Sequence, residues 1–280
     1  MAFDPYAPYG PVVDTTMRIV TWNVWGRFGE WEQRQEGIEA ALEAAQPDVV
    51  CLVEAWSSTT DGDTQAARVA ARLGFDHHHS VGGWDMEGWT SGLAVVSRWP
   101  ILSSGQRDLP NRDGTGSAGA ALFTAIDGPR GVIQLFTIVL DYPLDGSATR
   151  QTQVRELAAF IGEVTSGMHP TIVCGDFNAN PDSDEIRMLT GKSETASPGL
   201  VFYDAWEIAG DGTAGITWSN ANPLAAIGLY PDRRFDYVLS AWPRLNGVGH
   251  PVHAELLGVT KKPTDPQLSD HYGVLADLRY

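Results

Sequence analysis

Apolar runs of strand length in this chain repeatedly stop at a carboxylate or a carboxamide, and that recurrence narrows the folds open to it more than any other feature. "IVCGDFNANP", residues 172–181, is the clearest case. Ile172, Val173 and Cys174 read as a buried strand that breaks at Gly175 into Asp176, Phe177 and Asn178. Side chains alternate faces along an extended chain, so Asp176 and Asn178 point one way and Phe177 the other. Pro181 then ends any pairing, because proline has no amide hydrogen to give a neighbouring strand. A strand that leads two polar groups side by side out of a core is placing them for chemistry.

The rest of the chain alternates strands with helices. "MRIVTWNVWG" reads as a strand, "WEQRQEGIEAALEAAQ" as an amphipathic helix with Ile38, Leu42 and Ala45 on one face, and "DVVCLVE" as the next strand after Pro47. "DTQAARVAARLG" is a second helix with a glycine stop, and "GSATRQTQVRELAAFIGEV" a third, long one. "GLAVVSR", "AALFTAI", "GVIQLFTIVL", "PTIVCGD", "RRFDYVLS", "VHAELLGV" and "GVLADLRY" supply further strands between Gly- and Pro-rich turns. Strands in excess of helices, with single helices between them, imply two sheets packed face to face with the helices outside. No repeat, linker or composition break divides the chain, so residues 17–280 are expected to form one domain, with residues 1–16 as an N-terminal extension.

Composition limits the partners. The formal net charge is −16 and only Lys192, Lys261 and Lys262 among the 19 basic residues are lysines, whereas duplex binding relies on basic side chains against phosphate. Nucleic acid is therefore an unlikely partner on this reading. Cys51 and Cys174 both sit inside apolar runs and read as buried free thiols rather than a disulfide. No stretch reaches the length of a membrane span, and "MAFDPYAPYG" lacks the basic end and apolar segment of a signal peptide. A soluble, cytoplasmic monomer is expected.

The strand ends can then be compared. Asn23 ends "TWN", Glu54 ends "VVCLVE", Asp176 and Asn178 leave "IVCGDFN", Asp236 lies in "RRFDYV", and Asp270 and His271 precede the last strand. Singly, each has a plain structural reading as a turn former, a cap or a solvated charge. Together, seven polar groups at similar strand-end positions do not. Oxygen-rich ligands with one imidazole suit Mg²⁺ or Mn²⁺ better than zinc. An Asp–His pair beside carboxylates is also what metal-assisted phosphoryl chemistry requires.

In order along the chain, "RIVTWNVWG", "QPDVVCLVE", "SGLAVVSRWPI", "TRQTQVREL", "IVCGDFNANP", "RRFDYVLS" and "SDHYGV" resemble the endonuclease/exonuclease/phosphatase superfamily, which includes DNase-type nucleases, neutral sphingomyelinases and inositol-polyphosphate phosphatases. The resemblance covers nearly the whole chain from Met17. It implies an α/β fold, a four-layer α/β sandwich of two mixed sheets, and divalent-metal-dependent phosphoester hydrolysis. On that resemblance Asp176 is the general base or water-orienting group, and Asn178 holds phosphate and the attacking water. Glu54, Asn23 and Asp270 ligate Mg²⁺, while His271, held in its tautomer by Asp236, stabilises the transition state. Trp218 and Asn222, in "GITWSNANPLA", fall where family members line the substrate cleft.

One position departs from the family. Where many members carry a histidine two residues before the Asp of "LD", this chain has Val139, which cannot donate a hydrogen bond to phosphate. The expected function is thus a metal-dependent phosphoesterase acting on a small-molecule or lipid-derived ester. The alternative is a family scaffold turned to non-hydrolytic or biosynthetic chemistry, and a nuclease ranks third. Other features carry bland expectations: His77, His78 and His79 a solvated loop, and Arg150 with Gln153 a helix-to-sheet anchor. Trp84 and Trp89 read equally as a stacking wall or as loop packing, and one of Arg233 and Arg234 as a phosphate contact, the other as a surface charge.

Overall fold

The computed structural model describes residues 4–164, 169–260 and 266–280. Among these described residues, twelve strands form two six-stranded sheets. The first contains β1 (Thr16–Asn23), β2 (Val49–Ser58), β3 (His77–Met86), β4 (Trp89–Ser97), β11 (Pro251–Leu257) and β12 (Gly273–Arg279), in the order β11-β12-β1-β2-β4-β3. The second contains β5 (Ile101–Pro110), β6 (Ser117–Gly128), β7 (Gly131–Val139), β8 (Ile172–Asp176), β9 (Phe202–Asp204) and β10 (Asp236–Ala241), in the order β5-β6-β7-β8-β10-β9. Both sheets are mixed: β1–β2 and β7–β8 are parallel and the other pairs antiparallel.

The helices form where apolar residues recur at helical spacing. In α1 (Trp31–Ala45), Arg34, Ile38, Leu42 and Ala45 fall on one buried stripe, and the chain leaves through Gln46 in the left-handed region just before Pro47. In α2 (Gln65–Leu73), Thr64 caps the N-terminus by accepting from Ala67 N, and Gly74 at φ 68° closes the other end. The long α3 (Ser147–Val164) buries Val154, Leu157, Ala158 and Ile161. Shorter helices α4 (Asp184–Thr190), α5 (Ala205–Ala209) and α6 (Pro223–Ala226) stand in loops of the second half.

Three apolar layers result. The middle one joins the facing sides of the sheets, with Ile19, Cys51, Val53 and Val95 meeting Leu122, Leu135, Cys174 and Val238. A second fills the space between the first sheet and α1 with α2, and a third lies between the second sheet and α3 with α4. This is the expected four-layer sandwich. Cys51 and Cys174 are free, buried thiols in the middle layer.

Three strands were not legible in the sequence; one of them, Phe202–Asp204 (β9), is a three-residue edge strand too short to show any alternation. His77–Met86, whose His77, His78 and His79 are expected from the sequence in a solvated loop, is β3, and Ile101–Pro110 is β5. Each is an edge strand. With one side unpaired and both faces partly open, neither needs the apolar run by which buried strands are recognised.

Candidate active site

The register brings the strand-end residues to one rim of the sandwich. β10 runs antiparallel to β8 with Asp236 opposite Asp176, and β7 runs parallel with Val139 opposite Asp176. Counting back by twos from Asp176 gives Cys174 and Ile172, both in the layer between the sheets. Asp176 is therefore the polar end of an inward-facing row. The same count from Asn23 leads to Thr21 and Ile19, and from Val139 to Leu135 and Ile133. Gly175, at φ 141°, lies so close to Ile138 O that a Cβ would stand 2.0 Å from it, so this turn into Asp176 admits only glycine.

Glu54 reaches the same rim by a different device. Alternation from Val53, which faces the middle layer, would aim Glu54 at the helices. A β-bulge between Val53 and Ala55, with Glu54 itself at φ 56°, turns its side chain back. Asn23 then joins the clusters: its Nδ2 donates to Glu54 Oε1 at 2.9 Å and to Asp176 Oδ2 at 3.1 Å. Asn178, at φ 50°, donates its backbone N–H to Asp176 Oδ1 and its Nδ2 to Leu140 O, both at 2.9 Å.

His271 is buried and makes its strongest contact with Asp236, Nδ1 to Oδ2 at 2.8 Å. A carboxylate can only accept there, so Nδ1 carries a proton and Nε2 faces Asp176 Oδ2 at 3.8 Å. Burial pulls the imidazole pKa down, but the charges of Asp236, Asp176 and Asp270 outweigh it and hold the value well above the ordinary one. Burial, with Asp236 adding to it, pushes Asp176 up to about 7 despite the opposing charge of His271. Burial also raises Glu54, helped by the charge of Asp270, and raises Asp270 against the pull of His271.

The loop holding Asp270 and His271 is fixed from several sides. Trp22 Nε1 donates to His271 O at 3.0 Å, and Ser269 Oγ donates to Asn23 O at 2.7 Å. Asn222 Nδ2 donates to Ser269 O and Asp270 O, and its Oδ1 accepts from Leu224 N. Asn222 is fully buried and stands behind this loop rather than in the cavity wall, which corrects the expectation that it contacts substrate. Trp218 does line the cavity, edge-on to His271 with ring centroids 5.0 Å apart.

Arg34 was not singled out in the sequence. Its guanidinium donates to the carbonyls of Val24, Trp25, Gly26, Phe28 and Leu268, locking the β1–α1 loop against the loop that carries Asp270. The signal was present, since Arg34 stands one turn before Ile38 on the buried stripe of α1. Arg150 and Gln153 are anchors: Arg150 pairs with Glu185 at 2.5 Å and holds Asp141 O and Pro143 O, while Gln153 binds Asp141 N and Pro110 O. Arg234 is buried against Asp204 at 2.7 Å, whereas Arg233 lines a small pocket beside Asn178.

These groups open onto a cavity of about 810 Å³. Glu54, Asp141, Asp176, Asp270, Asn178 and His271 line its polar part, and Trp25, Phe28, Trp84, Val139, Trp218 and Phe235 are among its apolar walls. Among the described residues no lysine or arginine lines it. Trp84 is thus a wall residue, while Trp89 is buried and packs edge-on against Phe28 at 5.5 Å.

Asp176, Asp236 and His271 place ligand atoms within 4.8 Å of one another, a grouping that could hold a metal ion. With Nδ1 of His271 already committed to Asp236, the trio also reads as a hydrogen-bonded relay. Glu54 and Asp270 offer a second set of hard oxygen donors. Four carboxylates here (Glu54, Asp176, Asp236 and Asp270) face a single imidazole, and the nearby Arg34 is spent on carbonyls. A divalent cation fits that excess of charge.

A model of the Endonuclease/Exonuclease/phosphatase family matches residues 20–271. No protein of curated function matches the chain in sequence. Among solved structures, D. rerio TDP2 complexed with a single-strand DNA product shares 21% identity, with 95% of this chain and 100% of that chain covered and a TM-score of 0.73. An endonuclease/exonuclease/phosphatase from Beutenbergia cavernae shares 22% identity over 94% of this chain and 71% of that one, with a TM-score of 0.71. The protein from Bacteroides vulgatus shares 21% identity over 95% and 99%, with a TM-score of 0.70. These likenesses show the fold.

Proposed function

The chain belongs to the endonuclease/exonuclease/phosphatase family, and from that premise we propose that it is a divalent-metal-dependent phosphoesterase acting on a small-molecule or lipid-derived ester. The observation that carries the reading is the cavity itself: His271 and Asp176 converge in a space whose described walls are largely apolar and lack basic side chains. A substrate with several phosphates would meet carboxylates there without lysine or arginine to offset them. A single phosphate with an apolar arm fits.

In this reading Glu54 and Asp270, with Asn23 holding Glu54, bind Mg²⁺ or Mn²⁺, which when bound neutralises charge on phosphate oxygens. Asp176, with a pKa of about 7, accepts a proton from water near neutral pH. Asn178 positions that water and the phosphate. His271 donates from Nε2 to the charge developing on phosphate, and Asp236 keeps the ring protonated and oriented. Asn178 also borders the smaller pocket of about 250 Å³ that contains Ser147, Asn180 and Arg233. A diester held at Asn178 thus has one outlet that is apolar and one that is polar.

A nucleic-acid end is the second reading. The acidic balance of the whole chain does not remove it, because a protein of this fold, D. rerio TDP2, is described as complexed with a DNA product. Bis(p-nitrophenyl) phosphate tests the first reading. The expected result is p-nitrophenol release that requires Mg²⁺ or Mn²⁺ and falls roughly 10²-fold or more in His271→Ala. No release with either ion overturns it. Cleavage of single-stranded oligonucleotides well above the rate on the generic diester would favour the second.

A further inference from the structure

Asp141 is a carboxylate that the proposed chemistry does not use. It stands two residues beyond the end of β7, and its backbone is pinned on both sides: its N–H donates to Gln153 Oε1 at 2.9 Å and its carbonyl accepts from Arg150 at 3.0 Å. With the backbone held by α3, the side chain is left to the cavity, which it lines while only 6% exposed. No side chain donates a hydrogen bond to its carboxylate among the described residues. The two arginines whose charge reaches it are committed elsewhere, Arg150 to Glu185 at 2.5 Å and Arg112 to Asp145 at 2.8 Å.

A buried carboxylate held by one backbone N–H, that of Tyr142, keeps lone pairs and a charge unmatched, and a cation with hydrogens to donate offsets that cost best. The walls around it supply none. Val139, two residues earlier and lining the same cavity, offers an apolar surface beside Asp176. Two extended residues span roughly 7 Å, about the reach of a short alkyl chain leaving a phosphate held at Asp176 and carrying a charged end.

We propose that Asp141 is a specificity-determining residue that binds a protonated amine at the end of a short substrate arm, so that aminoalkyl phosphodiesters are preferred. The arm would pack on Val139, giving that apolar residue a purpose at a position where a phosphate donor is absent. This rests on the phosphoesterase reading for its substrate but not for its binding site. Burial raises the pKa of Asp141 against the pull of Arg150 and Arg112, as expected of a carboxyl awaiting a counter-charge.

The test compares two p-nitrophenyl phosphodiesters that differ only in the second arm, 2-aminoethyl or 2-hydroxyethyl, at a pH where the amine is protonated. Native protein should favour the aminoethyl ester roughly tenfold or more in kcat/KM, in keeping with a buried charge-assisted hydrogen bond. Asp141→Asn should bring that ratio close to one. Equal rates in the native protein, or a preference that survives in Asp141→Asn, overturn the proposal. If neither ester turns over, the phosphoesterase reading falls. Calorimetric binding of 2-aminoethyl and 2-hydroxyethyl methylphosphonate then decides Asp141 alone. A tenfold preference lost in the variant upholds it, and equal affinities overturn it.

Discussion

One hydrogen bond, Asp236 to His271 at 2.8 Å, sets the state of the only imidazole in the cluster. Burial works against the imidazolium, and the carboxylates of Asp236, Asp176 and Asp270 restore it. Removing the nearest charge should therefore lower the His271 pKa. In Asp236→Asn the alkaline limb of a kcat/KM profile is expected to move to lower pH, and the C–H resonance of the ring in NMR should titrate earlier by the same shift. An unmoved midpoint in both would mean that Asp236 does not govern the ring. The residue types were legible because a carboxylate at the end of an apolar strand is conspicuous. Asn222 was misjudged for a physical reason: sequence shows that an amide stands near the site, not whether its hydrogen bonds are already spent on Ser269 and Asp270. Arg34 is hidden in the sequence because an arginine on a helix ordinarily reads as solvated, whereas this one is buried on the stripe of α1.

The bulge in β2 decides where Glu54 points. Regular alternation would send Glu54 towards α1 and α2, so a strand without the bulge would leave the cluster one carboxylate short. The bulge places a non-glycine residue at φ 56°, which costs about 1 kcal/mol, and holds it beside Asp270. Glu54→Gly should relieve both the backbone strain and the like-charge repulsion. The metal-free protein is then expected to melt roughly 2 °C or more above the native one, while its melting temperature no longer responds to Mg²⁺. Glu54→Gln, which keeps the strained backbone, should lose the response to Mg²⁺ with a smaller gain. A lower melting point for Glu54→Gly in EDTA would show that the conformation is not strained, and a retained Mg²⁺ shift would take Glu54 out of the metal shell. Bulges of this kind are invisible in a run such as "VVCLVEAW", because nothing in the residue types marks where one extra residue enters a ladder. The edge strands β3 and β5 were hidden for the complementary reason, that exposure removes the apolar pattern.

Across the whole molecule, the sandwich gathers the ends of β1, β7 and β8, the bulge of β2 and the starts of β10 and β12 on one rim, and so concentrates carboxylates where the core stops. That arrangement links stability to pH. Asp176, Glu54 and Asp270 all have folded-state pKa values above their ordinary ones, so the folded chain holds these protons longer than the unfolded chain does. For groups shifted in this direction, stability is complete below the ordinary carboxylate range and is lost as pH rises through the raised values, about 7 for Asp176. His271, also raised, loses its contribution in the same sense at higher pH. In EDTA the melting temperature should therefore fall between pH 5 and pH 8. A divalent cation binds only the ionised carboxylates, so its stabilisation should grow over the same interval. At Mg²⁺ a hundredfold above its dissociation constant the gain is about 2.7 kcal/mol, or roughly 5 °C or more for a chain of this size. Melting curves with and without Mg²⁺ at closely spaced pH values should diverge upward from about pH 5. Parallel curves would mean that the cation binds elsewhere, and a rising curve in EDTA would mean that the rim carboxylates are already compensated within the protein.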